Sequence, residues 1–368
     1  MDERQPGRVF TIINFLSSFP KRIYKKGVRM NMEPINLKKL ASLLHLSIST
    51  VSKALRDSHE ISADTKKRVM DLARELNYEP NPYAGSLRKF KSKTIAVIVP
   101  DIINNFFIFA IKGIQEMAHA RGYHVLIYIT NENPEYEKDV VRHMTNGRVD
   151  GVVISLTSPI DDTEHLQALQ EKGLPIVFFD RVAEAFGNSS IITTNNYESA
   201  YSGTRYLIEQ GCKRIAHCQV SDKISIGIDR LQGYKKALED SGIAVRPEWI
   251  LTSRKDYMHD TALIEQTLLQ KDAPDGLFTS VETHALIAYD ICRKHQIDIP
   301  GQLKLLSFSN MPTAHLLKPS LSTITQPAFE IGQAAVQQLI LALEKPARYV
   351  PEKINIDSIL VKRESTAK

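Results

Sequence analysis

The sequence predicts a small all-α unit near the amino terminus, followed by an α/β body of two doubly wound lobes. Three observations lead to this prediction. Two short stretches with helical spacing of apolar residues lie close together after residue 36. From residue 94 onward, continuous apolar runs alternate with helical stretches, which is typical of a parallel sheet covered by helices. The alternation occurs twice, which indicates two lobes with a cleft between them.

Composition excludes several classes of protein. The chain has 368 residues, 43% of them hydrophobic and 24% charged, as in folded globular proteins of two or three domains. No apolar run approaches the roughly 18 residues that a membrane helix needs, so we expect no membrane association. Three scattered cysteines exclude a disulfide framework and indicate a reducing, cytoplasmic location.

Charge is distributed unevenly. Residues 1–31 carry a net charge of +5, residues 32–93 again +5, and residues 94–368 carry −5. A basic front attached to a mildly acidic body predicts a nucleic acid or another anionic partner for the front.

Residues 1–31 do not resemble a secretory signal, because the stronger basic cluster follows the apolar patch at 9–16 instead of preceding it. Two interpretations stay open for this extension. It is poorly ordered, or translation starts at Met30 or Met32 and the extension is a misassigned start.

Residues 33–80 predict a helix-turn-helix unit, here called the headpiece. Asn36, Ser47 and either Ser62 or Asp64 are the expected N-caps of three helices. Their apolar stripes are Leu37, Leu40, Ala41 and Leu44, then Val51, Ala54 and Leu55, then Val69, Met70, Leu72, Ala73 and Leu76.

The second helix of such a unit enters the DNA major groove, where its first residues meet base edges. The side chains expected to point outward here are Ile48, Ser49, Thr50, Ser52 and Lys53. The alternative is the solvated face of an ordinary three-helix bundle, and the basic charge of this segment favours DNA.

Residues 81–93 form a predicted hinge. Prolines at 80 and 82 end the third helix, and the stretch that follows is too short to be a stable helix on its own. Leu87 is followed by Arg88 and three lysines, a combination of an apolar wedge and cations that suits the minor groove.

The body is predicted from strands and helices in alternation. Strands are expected at 94–99, 124–129, 150–155, 175–180, 214–219, 276–278 and 303–308, and helices at 107–121, 134–145, 198–209, 230–240 and 282–295. We assign residues of about 94–192 and 325–347 to the first lobe, and of about 193–324 and 348–368 to the second.

Ligands of such sheets bind at the carboxyl ends of strands. The residues expected there are Asp101, Asn104, Asn105, Phe106, Phe107, Asp180, Arg181, Asn195, Asn196, Glu282 and Ser309. Arg230 is expected to begin a second-lobe helix that faces the same cleft. Directed polar groups beside aromatic rings suit a polyhydroxylated ligand, whereas any one of these residues alone could be a helix cap.

Residues 35–93 resemble the headpiece and hinge of the lactose repressor (LacI/GalR) family of bacterial transcription regulators. The resemblance rests on Leu-x-x-Leu-Ala at 37–41, Leu-Ser-x-Ser-Thr-Val-Ser-Lys-Ala-Leu at 46–55, Ile-Ser-x-x-Thr at 61–65 and Leu-Asn-Tyr-x-Pro-Asn at 76–81. It implies base contacts from Ile48, Ser49 and Lys53, and phosphate contacts from Ser47, Thr50 and Ser52. It also implies that Leu87 wedges into the centre of a palindromic operator when two subunits pair. Tyr78, Asn81, Ala84 and Arg88 complete the expected DNA-binding set.

The body is similar to the effector-binding core of the same family, which has the periplasmic-binding-protein fold. The motifs that carry this similarity lie at 100–107, 149–154, 179–181, 230–238 and 319–327. The resemblance implies an effector that is a sugar or sugar derivative, contacted by Asp101, Asn105, Phe106, Phe107, Asp180, Arg181, Asn196, Arg230, Glu282 and Ser309. Three positions depart from the family pattern: Ser309 replaces an aspartate, Val281-Glu282 replaces Asn-Asp, and Asn195-Asn196 replaces Asp-Asn. These changed acceptors indicate a different ligand, or none.

We therefore predict a cytoplasmic, nucleoid-associated, homodimeric repressor controlled by a small effector, with no cofactor and no metal. Helix residues 110–117 and 286–291 are apolar enough for dimer contacts or for core packing. A stand-alone sugar-binding protein is the alternative. An α/β enzyme is disfavoured because the sequence lacks phosphate-binding, zinc-protease and hydrolase motifs, and His59 and His284 are interpreted as loop or helix-surface residues.

The hinge hypothesis makes one prediction. Leu87→Ala should weaken operator binding because it removes the apolar wedge, while effector binding stays unchanged. Fluorescence anisotropy on a labelled operator and calorimetric titration of the effector measure the two effects. Equal operator affinity of the wild type and the variant would refute the wedge.

Overall fold

The computed structural model describes residues 35–78, 92–144, 148–157, 159, 162–183 and 186–367. The chain divides into two compact units, the first ending at Ala84 and the second beginning at Gly85.

The headpiece contains three helices, α1 (Leu37–Leu44), α2 (Ile48–Leu55) and α3 (Ala63–Glu75). The side chains of Asn36, Ser47 and Ser62 each accept a backbone N–H three residues ahead, so Ser62, rather than Asp64, caps α3. The apolar stripes meet in a small core formed by Leu40, Ala41, Val51, Ala54, Val69 and Ala73. The predicted helix-turn-helix packing is thus present.

The first lobe is built on one parallel sheet. Its strands are β1 (Thr94–Val99), β2 (His124–Ile129), β3 (Gly151–Ile154), β4 (Ile176–Phe179), β5 (Ser190–Thr193) and β11 (Lys353–Asn355), and its helices are α4 (Asn105–Ala120), α5 (Pro134–Met144), α6 (Glu164–Glu171) and α11 (Ala328–Glu344). The strand order is β11-β5-β4-β3-β1-β2. Every residue of β1 is buried, as its continuous apolar run requires in a central parallel strand.

The second lobe repeats this architecture. Its strands are β6 (Ile215–Gln219), β7 (Ile250–Thr252), β8 (Gly276–Thr279), β9 (Lys304–Phe308), β10 (Ser322–Thr325) and β12 (Ile359–Val361), and its helices are α7 (Asn196–Glu209), α8 (Ser225–Asp240), α9 (Tyr257–Leu269) and α10 (Glu282–His295). The order is β12-β10-β9-β8-β6-β7, with β12 antiparallel to β10. The two doubly wound lobes agree with the predicted fold class.

Several details differ from the sequence predictions. Strands β5, β10, β11 and β12 and helix α11 were not among the predicted elements. The unit formed by β7 and α9 was not predicted, because a three-residue strand carries no detectable alternation. Helix α8 begins at Ser225, so Arg230 lies in its second turn instead of at its start. Strand β11 pairs with β5 in the first sheet, although residues 348–368 were assigned to the second lobe. The chain therefore crosses between the lobes three times, after β5, β10 and β11.

All three cysteines are buried and unpaired. Among the described residues, no helix combines the length and the apolarity that crossing a membrane requires.

Candidate ligand cleft and nucleic-acid interface

The carboxyl ends of both sheets border a cleft of about 580 Å³ between the two lobes of the body. The first lobe lines it with Asp101, Ile103, Asn104, Phe107, Asn131, Glu132 and Arg181, and the second with Val220, Ser253, Lys255, Tyr257, Asp260, Val281, Thr283, His284 and Ile287. Apolar side chains alternate with charged ones along both walls. This volume and lining are those of a small-molecule site.

Three of the predicted effector residues line this cleft: Asp101, Phe107 and Arg181. One carboxylate oxygen of Asp101 accepts the N–H groups of the two residues after it, at 2.6 and 2.8 Å, which fixes the turn after β1. Phe107 is buried against Phe106 in an edge-to-face contact with ring centroids 5.3 Å apart. The Arg181 guanidinium lies over the Phe107 ring, 5.9 Å from its centroid. Phe106 is buried and supports the wall from behind.

Glu132 is the charged centre of the first wall. Its carboxylate receives two parallel hydrogen bonds from Arg181, at 2.7 and 2.8 Å, and one from Lys255 of the second lobe, at 2.6 Å. Burial would raise the pKa of Glu132, but the charges of Arg181 and Lys255 hold it at about 2. The same contact with Glu132 raises the pKa of Arg181 although burial opposes this. Both groups therefore stay ionised in the cleft.

Asp260 organises the opposite wall. Its carboxylate accepts hydrogen bonds from the Ser253 hydroxyl at 2.5 Å, from His284 Nε2 at 3.3 Å and from His259 Nδ1 at 3.1 Å. Burial acts to raise the pKa of Asp260, and these hydrogen bonds together hold it well below its usual range. Because the carboxylate only accepts, Nε2 of His284 carries a proton, and its buried Nδ1 has no partner among the described residues.

Arg230 and Asp180 lie deeper than the cleft walls. Arg230 is 1% exposed; its Nε donates to Asn196 at 2.8 Å, its Nη1 donates to the Ser280 carbonyl at 2.6 Å, and its guanidinium lies 3.8 Å from the centroid of the Phe308 ring. Burial lowers the pKa of Arg230 to about 10, with Asp180 opposing the shift. Burial also raises the pKa of Asp180, against the effect of Arg230. The two groups thus influence each other electrostatically in the interior, where the raised pKa of Asp180 favours its neutral form.

Asn105, Glu282 and Ser309 form a third group, which joins the lobes. Glu282 Oε1 accepts hydrogen bonds from the backbone N–H and the side-chain amide of Asn105, at 2.9 and 2.7 Å. The Ser309 hydroxyl donates to Glu282 Oε2 at 2.7 Å. All ten predicted effector residues are therefore at the facing ends of the two sheets, but seven of them lie behind or beside the cleft lining.

Sequence reasoning missed much of the lining. Glu132 follows β2, and the rule that selected residues at other strand ends would have found it. Ser253 and Lys255 follow β7, and Tyr257 and Asp260 belong to α9, so these four were hidden by the unpredicted unit. His284 was interpreted as a loop or surface residue, but it is 5% exposed and lines the cleft.

On the headpiece, α2 presents a polar face. Ile48 is 48% exposed, and Ser47 and Ser49 are exposed beside it. The Ser47 hydroxyl accepts the Thr50 N–H at 3.0 Å and lies 2.8 Å from the hydroxyls of both Ser49 and Thr50. The amino end of α2 therefore carries a cluster of hydroxyl groups with an adjacent apolar side chain, a surface that can contact phosphates and base edges.

Two further residues of this face have partners within the headpiece. Lys53 is paired with Glu60, and Ser52 is hydrogen-bonded to Arg56, a cation that sequence reasoning had not selected. Tyr78 packs half-buried against the headpiece core. The other predicted DNA contacts, Asn81, Ala84, Leu87 and Arg88, lie outside the described residues, as does most of the hinge. Within the described ranges, no three potential metal ligands cluster together.

Comparisons with known protein families match both units. Residues 36–81 match the model of "Bacterial regulatory proteins, lacI family", and residues 92–364 match that of "Periplasmic binding proteins and sugar binding domain of LacI family". The chain is 30% identical to the ribose operon repressor of Haemophilus influenzae, over 84% of this chain and 92% of that protein.

Two solved structures have similar folds. One is a transcriptional regulator CelR–cellobiose complex, with a TM-score of 0.68, 22% identity, and coverage of 90% of this chain and 99% of that one. The other is a LacI family transcriptional regulator from Enterococcus faecium with bound ribose, with a TM-score of 0.64, 23% identity, and coverage of 74% and 98%.

The ion-pair cluster predicts a pH-dependent contribution to stability. Because the pKa of Glu132 is held at about 2, its ionised form stabilises the fold above the ordinary glutamate pKa, and this contribution is lost as the pH falls from about 4.5 toward 2. Glu132→Gln should lower the free energy of unfolding by about 2–3 kcal/mol at pH 7, and the difference from wild type should shrink below about pH 4.5.

Urea unfolding of both proteins between pH 7 and pH 3 measures this difference. Glu135→Gln is the matched control, because the Glu135 side chain is 80% exposed in its pair with Lys138 and should contribute less than about 1 kcal/mol. A Glu132→Gln difference that does not change with pH would contradict the assignment.

Proposed function

The chain belongs to the lacI family of bacterial regulatory proteins, and from this membership we propose that it is a repressor controlled by a sugar or sugar derivative bound in the inter-lobe cleft. It is a transcriptional regulator, not an enzyme. The proposed repressor acts as a homodimer on a palindromic operator in the cytoplasm, associated with the nucleoid. Residues 81–93 are proposed to be the hinge.

The observation that carries the effector proposal is the cleft of about 580 Å³ with directed polar groups on both walls. Two buried donors have hydrogen-bonding capacity to spare: Arg181 Nε at the first wall and Arg230 Nη2 deeper in the body have no partner among the described residues. A ligand rich in hydroxyl oxygens would satisfy such donors, while Phe107 offers a ring face for its C–H groups. The ribose and cellobiose bound to the two similar structures support a carbohydrate.

The DNA proposal is supported by the exposed amino end of α2. Its hydroxyl groups and Ile48 match the residues that such a helix presents to a major groove. Lys53 would exchange its surface partner Glu60 for a base or phosphate, which costs little because exposed ion pairs are weak. Ser47, Ser49, Thr50 and Ser52 are proposed to complete the contact set.

The homodimer proposal is supported by apolar side chains left exposed on both lobes. On the first lobe these are Ile108, Leu126 and Ile127, and on the second Met258 and Leu286. In the predicted dimer helix at 110–117, Ala110, Gly113 and Ile114 are core residues, so the edge strand β2 and the start of α4 are the better candidates.

Operator selection with the purified protein, repeated with a panel of sugars, tests the proposal. We expect enrichment of a palindromic sequence, affinity that falls steeply as salt rises because phosphate contacts release counterions, and a change in affinity with at least one sugar. Enrichment of no sequence would contradict the DNA assignment. Sequence-specific binding that no sugar alters would contradict the effector class.

Arg230→Ala should remove the sugar response and leave the affinity for operator without sugar unchanged. We expect that at least about 30-fold more sugar is needed for the same response, because a buried charged donor to the ligand is lost. Anisotropy of a labelled operator during sugar titration measures this shift. Arg293→Ala, at a side chain 83% exposed in the same lobe, is the control. A variant that responds like the wild type would show that Arg230 does not contact the ligand.

A further inference from the structure

Glu282 lies at the contact between the two lobes. It is the first residue of α10 in the second lobe, is 4% exposed, and directs its carboxylate toward the first lobe. Its partner there, Asn105, is the first residue of α4 and gives it two hydrogen bonds, at 2.9 Å from the backbone and 2.7 Å from the side chain. An anion at this position is stabilised by the free N–H groups of a helix N-terminus.

Ser309 fixes the other oxygen of the same carboxylate. Its hydroxyl donates to Glu282 Oε2 at 2.7 Å and accepts the Met311 N–H at 3.0 Å. Ser309 is itself 4% exposed, so the carboxylate is held in one orientation away from solvent. Hydrogen bonds to an ionised group are about twice as strong as neutral ones, so this is a firm contact between the lobes.

Two other side-chain contacts between the lobes are weaker. Lys255 reaches Glu132 with a side chain that is 30% exposed, where water screens the pair. The Ser225 hydroxyl accepts the Val182 N–H at 3.0 Å, a single neutral bond. Among the described residues, Glu282 combines two inter-lobe hydrogen bonds, a charge and nearly full burial.

We propose that Glu282 is a built-in latch between the lobes and sets the inner limit of the effector site. Its carboxylate takes the position from which a ligand hydroxyl would otherwise bridge Asn105 and Ser309. The effector is thereby confined to the rest of the cleft, away from the space between Asn105 and Ser309. The confinement rests on the proposed function of the cleft, whereas the latch itself does not.

The variants Glu282→Ala and Glu282→Gln distinguish the effect of the Glu282 hydrogen bonds on lobe opening from the effect of a buried side chain of this size. Alanine removes all three hydrogen bonds. Glutamine retains an oxygen for Asn105 and offers an amide N–H to the Ser309 hydroxyl, which can also accept. We expect the open-lobe population in the absence of sugar and DNA to rise about tenfold or more in Glu282→Ala, and by a smaller factor in Glu282→Gln because its hydrogen bonds no longer involve a charge.

Electron spin resonance distances report this population. Labels are placed at Tyr136→Cys on the first lobe and Asp222→Cys on the second, both exposed, in full-length protein diluted with unlabelled chains. The native cysteines are buried. Asn105→Ala tests the latch from the other lobe, with a smaller shift because its backbone N–H remains. Glu330→Gln, an exposed glutamate on α11, should leave the distances unchanged.

Equal distance distributions in the wild type, Glu282→Ala and Asn105→Ala would overturn the latch. If Glu282→Ala does not fold, the distance distributions of Asn105→Ala and Glu282→Gln still test the latch. In the sugar panel, Glu282→Ala should respond to sugars that leave the wild type unaffected, and an unchanged range would overturn the confinement. If the wild type neither binds an operator nor responds to a sugar, the proposed function is contradicted. The latch would still be testable, because the distance measurement requires neither DNA nor sugar.

Discussion

Stabilisation of buried charge by directed partners at the facing ends of two sheets is the constraint on which the ligand-binding body depends. An isolated charge in a protein interior costs several kcal/mol, yet Arg181, Arg230 and Glu282 are each at least 95% buried. Each is stabilised by directed partners: Glu132 for Arg181, Asn196 and the Ser280 carbonyl for Arg230, and Asn105 with Ser309 for Glu282. Because two of these sets join residues distant in sequence, the walls of the cleft are held in place by their electrostatics.

The fold supplies those partners through a simple geometric rule. Parallel strands end at one edge of a sheet, and the helices that follow begin there, so carboxylates, amides and free N–H groups collect at the same edge. Two sheets built in this way and turned toward each other bring their polar edges together. A polar site then arises from residues that also cap helices and fix turns, such as Asp101 and Asn104.

Whether an element could be predicted from the sequence depended on how many residues its pattern spans. The N-caps Asn36 and Ser47 and the apolar run of β1 are local patterns, and they identified their elements correctly. The three-residue strand β7 has no pattern of its own, since it is stabilised by pairing with β6. Because β7 and α9 were not predicted, four of the nine residues of the second wall were missed. Contacts between the lobes cannot be read from local patterns. The contact of Glu132 with Lys255, for example, joins residues 123 positions apart in the sequence.

The three crossings between the lobes have a consequence for how this protein can be divided. Neither lobe is a contiguous piece of the gene, because β11 and β12 return to different sheets at the end of the chain. A recombination event with a single breakpoint inside the body would therefore leave at least one lobe hybrid, whereas one near residue 85 transfers an intact unit. DNA specificity can thus be exchanged as a cassette, while ligand specificity must change by substitution within a body inherited whole.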